Sequence, residues 1–197
     1  MDERALTEFF STLDRAFFLN GPYKALAGCD APLPIGYEQT ISQPSLVLEM
    51  TRLLSPEKDS RVLEIGTGSG FQTALLAEFS ARVYTVERVS ALAKKAEKRL
   101  AQLGYDNIVF LIADGSAGWQ EYAPFDRIIV TAAAGKKPLA LIGQLAPSGR
   151  MIVPVGPPSV QDLLLITRDE RGTLSERSLG QVRFVEMVGE YGWNDSR

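Results

Sequence analysis

The strongest structural signal in the chain is Arg61-Val62-Leu63-Glu64-Ile65-Gly66-Thr67-Gly68-Ser69-Gly70. Its first half is rich in aliphatic and β-branched side chains and predicts a strand. The three glycines of its second half let the backbone turn sharply and approach a ligand closely. A helix is predicted to begin directly afterwards, at Phe71. This order of strand, glycine loop and helix is typical of the ligand-binding end of an α/β sheet.

The residues after the glycine loop indicate which ligand it binds. A dinucleotide fingerprint requires a small residue at position 71, where this chain has Phe71, so NAD is disfavoured. S-adenosylmethionine fits better, because it has no phosphate that a helix N-terminus must bind. Glu87 ends the next predicted strand, about 20 residues further on, where its carboxylate can accept both ribose hydroxyls. Asp114 follows the third strand, where it could accept the adenine amino group.

On both sides of the glycine loop, short β-rich runs alternate with helical ones, which predicts an α/β fold with a mostly parallel, doubly wound sheet and helices on both faces. We predict seven strands, at Val62–Ile65, Arg82–Val86, Ile108–Ile112, Asp126–Thr131, Met151–Val155, Leu163–Thr167 and Val182–Val188. Helices are predicted at Phe71–Phe79, Ser90–Leu103 and Pro138–Leu145. The last two strands are expected to form a hairpin at an antiparallel edge of the sheet.

The N-terminal residues predict a helical and loop extension. Apolar residues recur at helical spacing from Leu6 to Leu19. Residues 20–44 contain many glycines and prolines and predict a long loop, which is usually functional. A helix is predicted from Pro44 to Leu54. We therefore expect a single domain over residues 1–197, with N-terminal helices and a substrate loop in 1–55 and a cofactor-binding core with the C-terminal hairpin in 56–197.

The composition excludes several functions. The 197 residues are 45% hydrophobic and 23% charged, with a net charge of -3, which gives no general attraction to phosphate backbones or anionic membranes, so we expect neither nucleic acid nor a membrane as a partner. The chain has no histidine, which excludes Ser-His-Asp, Cys-His and histidine-based zinc catalysis. A single cysteine, an acidic start and the lack of an apolar run of roughly 20 residues predict a cytoplasmic protein. A monomer is the default expectation.

Several separated segments carry a more specific pattern. They are Pro32–Tyr37, Gln39–Pro44, Leu63–Gly70, Val83–Arg88, Asp114–Gly115, Ala123–Asp126, Ile129–Ala134 and Val153–Gly156. Together they resemble the protein-L-isoaspartate O-methyltransferase family, over roughly residues 32 to 189. The glycine loop alone would indicate only a Rossmann-like class I methyltransferase, whereas the Pro32–Pro44 loop is specific to this family.

The resemblance implies methyl transfer from S-adenosylmethionine to the free α-carboxylate of L-isoaspartyl residues in damaged proteins and peptides. S-adenosylhomocysteine is the second product, no metal is needed, and the ester closes to a succinimide that begins repair. The resemblance assigns the active-site role to Ser42. The predicted cofactor-binding residues are Thr40, Ile41, Gly66, Thr67, Gly68, Ser69, Gly70, Glu87, Arg88, Asp114 and Gly115. The predicted substrate-binding residues are Ile35, Gln39, Thr131, Ala132 and Ala133, the last three because small residues leave room for a peptide main chain and offer it backbone hydrogen bonds.

The proposed chemistry explains why the chain can lack histidine. A carboxylate is ionised at neutral pH and needs no general base, and the sulfonium donor carries its own leaving group. Two alternatives stay open. Residues 14–30 depart from the family pattern, and Glu186 stands where a proline is common, which would suit a carboxyl methyltransferase dedicated to one peptide or small carboxylic acid. A protein that binds damaged proteins without catalysis is the alternative from another class.

Overall fold

The strand that carries the glycine loop is an interior strand of a seven-stranded sheet in the computed structural model, which describes residues 1–190 and 192–193. The strands are β1 Leu33–Gly36, β2 Gln39–Ile41, β3 Arg61–Ile65, β4 Arg82–Glu87, β5 Ile108–Ile112, β6 Phe125–Val130, β7 Leu145–Val155, β8 Gln161–Arg168 and β9 Leu174–Val182. The α-helices are α1 Glu3–Thr12, α2 Pro44–Leu54, α3 Phe71–Phe79, α4 Ser90–Gln102 and α5 Leu139–Gly143. No helix within these described residues is long and apolar enough to cross a membrane.

The large sheet has the strand order β5-β4-β3-β6-β7-β8-β9. The five neighbouring strands β5, β4, β3, β6 and β7 are parallel to one another. Strand β8 is antiparallel to β7, and β9 is antiparallel to β8. Alternate residues of β3 point to opposite faces: Leu63 packs in the core that α5 covers, and Val62 packs in the core beneath α2 and α3. The predicted fold class and C-terminal hairpin are confirmed.

The predicted position of the last strand is wrong. The strand is Leu174–Val182 rather than Val182–Val188. Asp169 caps the preceding turn by accepting the backbone N–H groups of Arg171 and Thr173 at 2.9 and 2.7 Å, so the chain turns back at once and pairs with β8. The more apolar residues 183–188 form an irregular segment instead, with isolated bridges at Glu186 and Val188.

The start of strand β7 and the end of helix α5 also differ from the prediction. Strand β7 begins at Leu145, six residues before Met151, because a bulge lets Leu145 pair with Phe125 ahead of the main register. The preceding helix α5 is correspondingly shorter than predicted. Both differences come from pairing with β6, which is 20 residues distant in sequence and invisible to a local pattern.

The N-terminal region is more structured than its sequence predicts. The first helix ends at Thr12, because Asp14 caps a separate 3-10 turn at Arg15–Phe18 through the backbone N–H of Ala16. Residues 20–44, predicted as a loop, contain a second 3-10 turn and the antiparallel hairpin β1–β2. The hairpin turns at Tyr37 and Glu38, which both have positive φ angles (55° and 57°) without the Asn-Gly sequence that normally signals such a turn.

Candidate active site

Gly66 and Thr131 fix the shape of the glycine loop. Gly66 has a φ of 99°, and a Cβ at this position would collide with the Thr131 hydroxyl, so only glycine fits. That hydroxyl contacts the carbonyl oxygens of Gly66 and Ile65 at 2.6 and 3.0 Å. Because Thr131 directly follows β6, this contact ties the loop to the neighbouring strand.

Glu87 holds the loop from the other side. At the end of β4, its buried carboxylate accepts the backbone N–H of Gly68 at 2.9 Å and that of Val89 at 2.8 Å. Each carboxylate oxygen keeps further lone pairs. The carboxylate is therefore fixed in place and can still accept hydroxyl groups of a ligand.

A fully buried acid, Glu64, lies beneath the loop. One of its oxygens accepts the hydroxyls of Thr73 and Thr85, both at 2.7 Å, and the other is buried without a hydrogen-bond partner. The Thr85 hydroxyl also lies 2.6 Å from that of Thr67 in the loop. Burial raises the pKa of Glu64 to about 7, although the two threonine hydrogen bonds act in the opposite direction. Sequence analysis missed this role, for which the signal is an acid within an otherwise apolar strand.

One cavity brings the glycine loop and the β1–β2 hairpin together. It has a volume of about 90 Å³ and opens to solvent. The predicted site residues that line it are Gln39, Thr40, Ile41, Ser42, Gly66, Thr67, Gly68, Ser69, Glu87, Arg88, Gly115, Thr131 and Ala132. We call this space the cofactor cavity. Residues predicted from the strand ends and residues predicted from the N-terminal loop thus line a single space.

Two predicted residues lie just behind the cavity. Ile35 is buried, and its Cδ1 lies 3.5 Å from where a Cβ on Gly68 would stand, so it packs against the back of the loop. Gly70, with a φ of 90°, precedes helix α3, and a Cβ there would press on Ala96 and Leu100 of helix α4. The structure therefore gives both residues packing positions rather than positions on the cavity wall.

Two other predicted residues already have bonding partners. Ala133 is buried, its N–H donates to the Val185 carbonyl at 2.7 Å, and its carbonyl accepts from the Met187 N–H at 2.8 Å. The prediction that the Ala133 backbone binds a peptide is therefore wrong. Asp114 accepts the backbone N–H groups of Ser116 and Glu190, both at 2.8 Å, and lines a neighbouring cavity. Burial opposes ionisation of Asp114, but these hydrogen bonds outweigh it and hold its pKa below the usual range.

Comparison with known protein families decides the assignment. A model of the family described as protein-L-isoaspartate(D-aspartate) O-methyltransferase matches residues 1–192. The chain belongs to this family. The resemblance predicted from the separated sequence segments is thereby confirmed.

Individual members of the family are similar over most of the chain. A protein-L-isoaspartate O-methyltransferase of Dictyoglomus turgidum is 50% identical over 181 residues, which cover 92% of this chain and 82% of the relative. Protein-L-isoaspartate O-methyltransferase 2 of Syntrophobacter fumaroxidans is 50% identical over 190 residues, covering 96% and 76% respectively. The match thus includes the N-terminal region as well as the sheet.

Solved structures of the family share the fold. A structure named protein-L-isoaspartate O-methyltransferase superposes with a TM-score of 0.85 at 28% identity, covering 98% of this chain and 63% of that longer chain. A Plasmodium falciparum protein described as a putative member, in complex with S-adenosyl-L-homocysteine, superposes with a TM-score of 0.79 at 24% identity. The superposition covers 95% of this chain, and at this identity it is evidence for the fold but not for the function.

The residues at the cofactor cavity fit S-adenosylmethionine. Gly66 and Gly68 present backbone without side chains, and the fixed carboxylate of Glu87 lines the cavity, where it would be available to accept the ribose hydroxyls of the cofactor. Among residues 1–190 and 192–193, no three histidine, cysteine, aspartate or glutamate side chains are grouped as metal ligands. Glu87 and the glycine loop would hold the ribose and the methionine portion in this family member.

Sequence analysis missed Arg15, which organises the candidate active site. Its side chain is buried with 6% exposed, and its guanidinium donates to the carbonyl oxygens of Ala27, Cys29, Ala31 and Ser42 at 3.1, 2.8, 2.7 and 3.1 Å. One side chain therefore joins the segment before the hairpin to the residue after it. No periodic pattern signals this role, because all four partners are backbone atoms.

The buried acid predicts a pH-dependent stability. Between its usual pKa near 4.5 and the folded value of about 7, Glu64 is ionised only in the unfolded state, so rising pH favours unfolding through this window. We expect Glu64 to remove about 3 kcal/mol of unfolding free energy between pH 4.5 and 7, at about 1.4 kcal/mol per pKa unit. Urea unfolding of the wild type and E64Q at pH 5 and pH 8 measures this. A difference between the two proteins that is the same at both pH values would contradict the prediction.

Proposed function

We propose that this protein transfers the methyl group of S-adenosylmethionine to the free α-carboxylate of L-isoaspartyl residues in damaged proteins and peptides. The observation that carries the proposal is the cofactor cavity, in which the glycine loop and Glu87 face Thr40 and Ser42 of the N-terminal loop. Family membership adds the reaction, because the relatives are named for it. One copy of the chain supplies both walls of this cavity, so the proposed site needs no residue from a second subunit.

The geometry supports a reaction driven by positioning. When bound, S-adenosylmethionine supplies a methyl group on a sulfonium. The substrate carboxylate is already ionised at neutral pH, so the chain needs no base, which agrees with its lack of histidine. The remaining task is to hold the carboxylate oxygen in line with the methyl carbon and sulfur. The new carbon–oxygen bond forms as the carbon–sulfur bond breaks, and the sulfur keeps the electron pair.

Ser42 is our candidate for orienting the carboxylate. It is half-buried on the cavity wall, and its carbonyl is held by Arg15 at 3.1 Å, so its backbone position is fixed. Its hydroxyl would donate to one carboxylate oxygen and turn the other toward the methyl group. This makes Ser42 a catalytic residue without making it a nucleophile.

Substitution of Ser42 by alanine is expected to lower kcat by about 10- to 100-fold, because the carboxylate loses one orienting hydrogen bond. The affinity for S-adenosylmethionine should stay within about twofold. S11A on the exposed face of helix α1 is the matched control. Unchanged turnover of S42A at saturating peptide would remove Ser42 from the mechanism.

The reaction itself is tested with labelled S-adenosylmethionine and a pair of peptides that differ only in having L-isoaspartate or normal L-aspartate at one position. Base-labile label on the isoaspartyl peptide alone is the expected result, because a methyl ester hydrolyses in base. If neither peptide is labelled although the protein binds the cofactor, the proposed substrate is wrong. Equal labelling of both peptides would instead favour a general carboxyl methyltransferase.

A further inference from the structure

The C-terminal segment 181–188 forms one wall of the cofactor cavity and of two clefts beside it. The hairpin cleft lies between the β1–β2 turn, with Tyr37 and Glu38, and residues 183–186. The helix cleft lies between the start of helix α2, with Gln43 and Ser45, and residues 181–185. Both clefts share Thr40 with the cofactor cavity, so an extended peptide could run from one to the other past Thr40 and Ser42.

The backbone of this wall is rigidly held. Val185 and Met187 bond to the backbone of Ala133, at 2.7 and 2.8 Å, and the Phe184 N–H donates to the Gln161 side chain at 2.8 Å. Gln161 is itself buried and donates to the Pro157 carbonyl. The side chains on the wall are therefore presented from fixed positions.

Arg183 is the cation on this wall, at the junction of the two clefts. It lines both clefts, its side chain is exposed, and it makes no hydrogen bond or ion pair with any residue in the described part of the chain. Charged residues on the opposite walls of the clefts do have partners. Arg88 and Glu38 each interact with another group, and Glu49 forms an ion pair with Arg52 at 2.7 Å. Arg183 is thus free to bind an anion from the substrate.

We propose that Arg183 binds a carboxylate that flanks the isoaspartyl residue, so that the enzyme prefers sites next to an aspartate or glutamate. This inference rests on the proposed function and names a substrate class for it. A guanidinium presents a planar fork of N–H donors that matches a carboxylate. Glu186 lines the hairpin cleft and would repel an acidic side chain there, which places the bound acid on the helix-cleft side of Thr40.

The test uses isoaspartyl peptides with amidated C-termini, with Glu, Gln or Lys one or two residues before or after the isoaspartate. For at least one of these four flanking positions, the wild type should show a three- to tenfold higher kcat/KM for the Glu peptide than for the Lys peptide. R183E should reverse this order and leave the Gln peptide within about twofold. R177E, on the exposed strand β9, should leave all values unchanged. A further pair with free and amidated C-termini tells a side-chain carboxylate from a terminal one.

The possible failures are distinguishable. If the wild type methylates the Gln peptide but R183E changes kcat/KM for the Glu and Lys peptides by the same factor, the role of Arg183 is wrong and the proposed function stands. A preference for Glu that R183E leaves intact also overturns the role of Arg183. If the wild type methylates none of the isoaspartyl peptides, the proposed function and this inference both fail.

Discussion

Substitution of Glu87 by alanine is expected to weaken the binding of S-adenosylmethionine by about 100-fold or more. The variant lacks the carboxylate that we propose as the acceptor for two ribose hydroxyls, and a hydrogen bond to a charged group contributes about 1.5–3 kcal/mol. About 1.4 kcal/mol corresponds to a tenfold change in affinity. The variant also frees the backbone N–H groups of Gly68 and Val89, which loosens the glycine loop. Isothermal titration calorimetry with the cofactor measures the dissociation constant.

Two further variants sharpen this experiment. E87Q keeps one neutral acceptor and should fall between the wild type and E87A. E97A removes an exposed glutamate from helix α4 and should bind like the wild type. Binding by E87A within about threefold of the wild type would contradict the assignment of Glu87 to the ribose.

Substitution of Arg15 by methionine is expected to lower the free energy of unfolding by about 3 kcal/mol and to reduce kcat. The apolar side chain has a similar length, but it leaves four backbone carbonyls without their charged donor, and losing several charge-assisted hydrogen bonds in a part-buried setting is costly. The carbonyl of Ser42 is among them, so the residue that we propose to orient the carboxylate loses a backbone support. Urea unfolding measures the stability, and limited proteolysis reports loosening of residues 27–31.

Lysine is expected to rescue Arg15 poorly, because its single ammonium cannot reach four carbonyls with the spread of a guanidinium. R4M is the matched control, since Arg4 is exposed and, within the described residues, its side chain bonds to its helix neighbour Glu8 rather than to the hairpin. An unfolding midpoint of R15M equal to that of the wild type would show that the four hydrogen bonds do not support the loop.

The parts of the fold that local sequence signals specify were predicted closely. Helix α2 begins at Pro44, strand β5 covers Ile108–Ile112, and helix α3 follows the glycine loop, all as predicted. Each has its own signal, such as a proline at a helix start or an unbroken aliphatic run. The positions of the glycine loop and Glu87 were also predictable, but for another reason. Both follow strands of a parallel sheet, and the ends of such strands meet at one edge.

The parts that depend on distant contacts were not predicted. Strand β9 is mostly exposed and polar, and it forms because the Asp169 turn directs it against β8. The hairpin of β1 and β2 turns on two non-glycine residues with positive φ, which no local rule requires. Arg15 acts on carbonyl oxygens, and Asp114 is bonded to a backbone group 76 residues away. Side-chain identity alone does not reveal such partners.

The pairing of Ala133 with Val185 and Met187 joins parts of the chain that are synthesised at different times. A ribosome releases the N-terminal loop and the glycine loop early and residues 183–188 late, and chains begin to fold from their N-terminal end during synthesis. The cleft wall is therefore synthesised after every other part of the cofactor cavity. A nascent or prematurely terminated chain that stops before residue 183 would carry the glycine loop and Ser42 but would lack this wall. Peptide methylation by this protein would therefore require synthesis of the chain beyond residue 188.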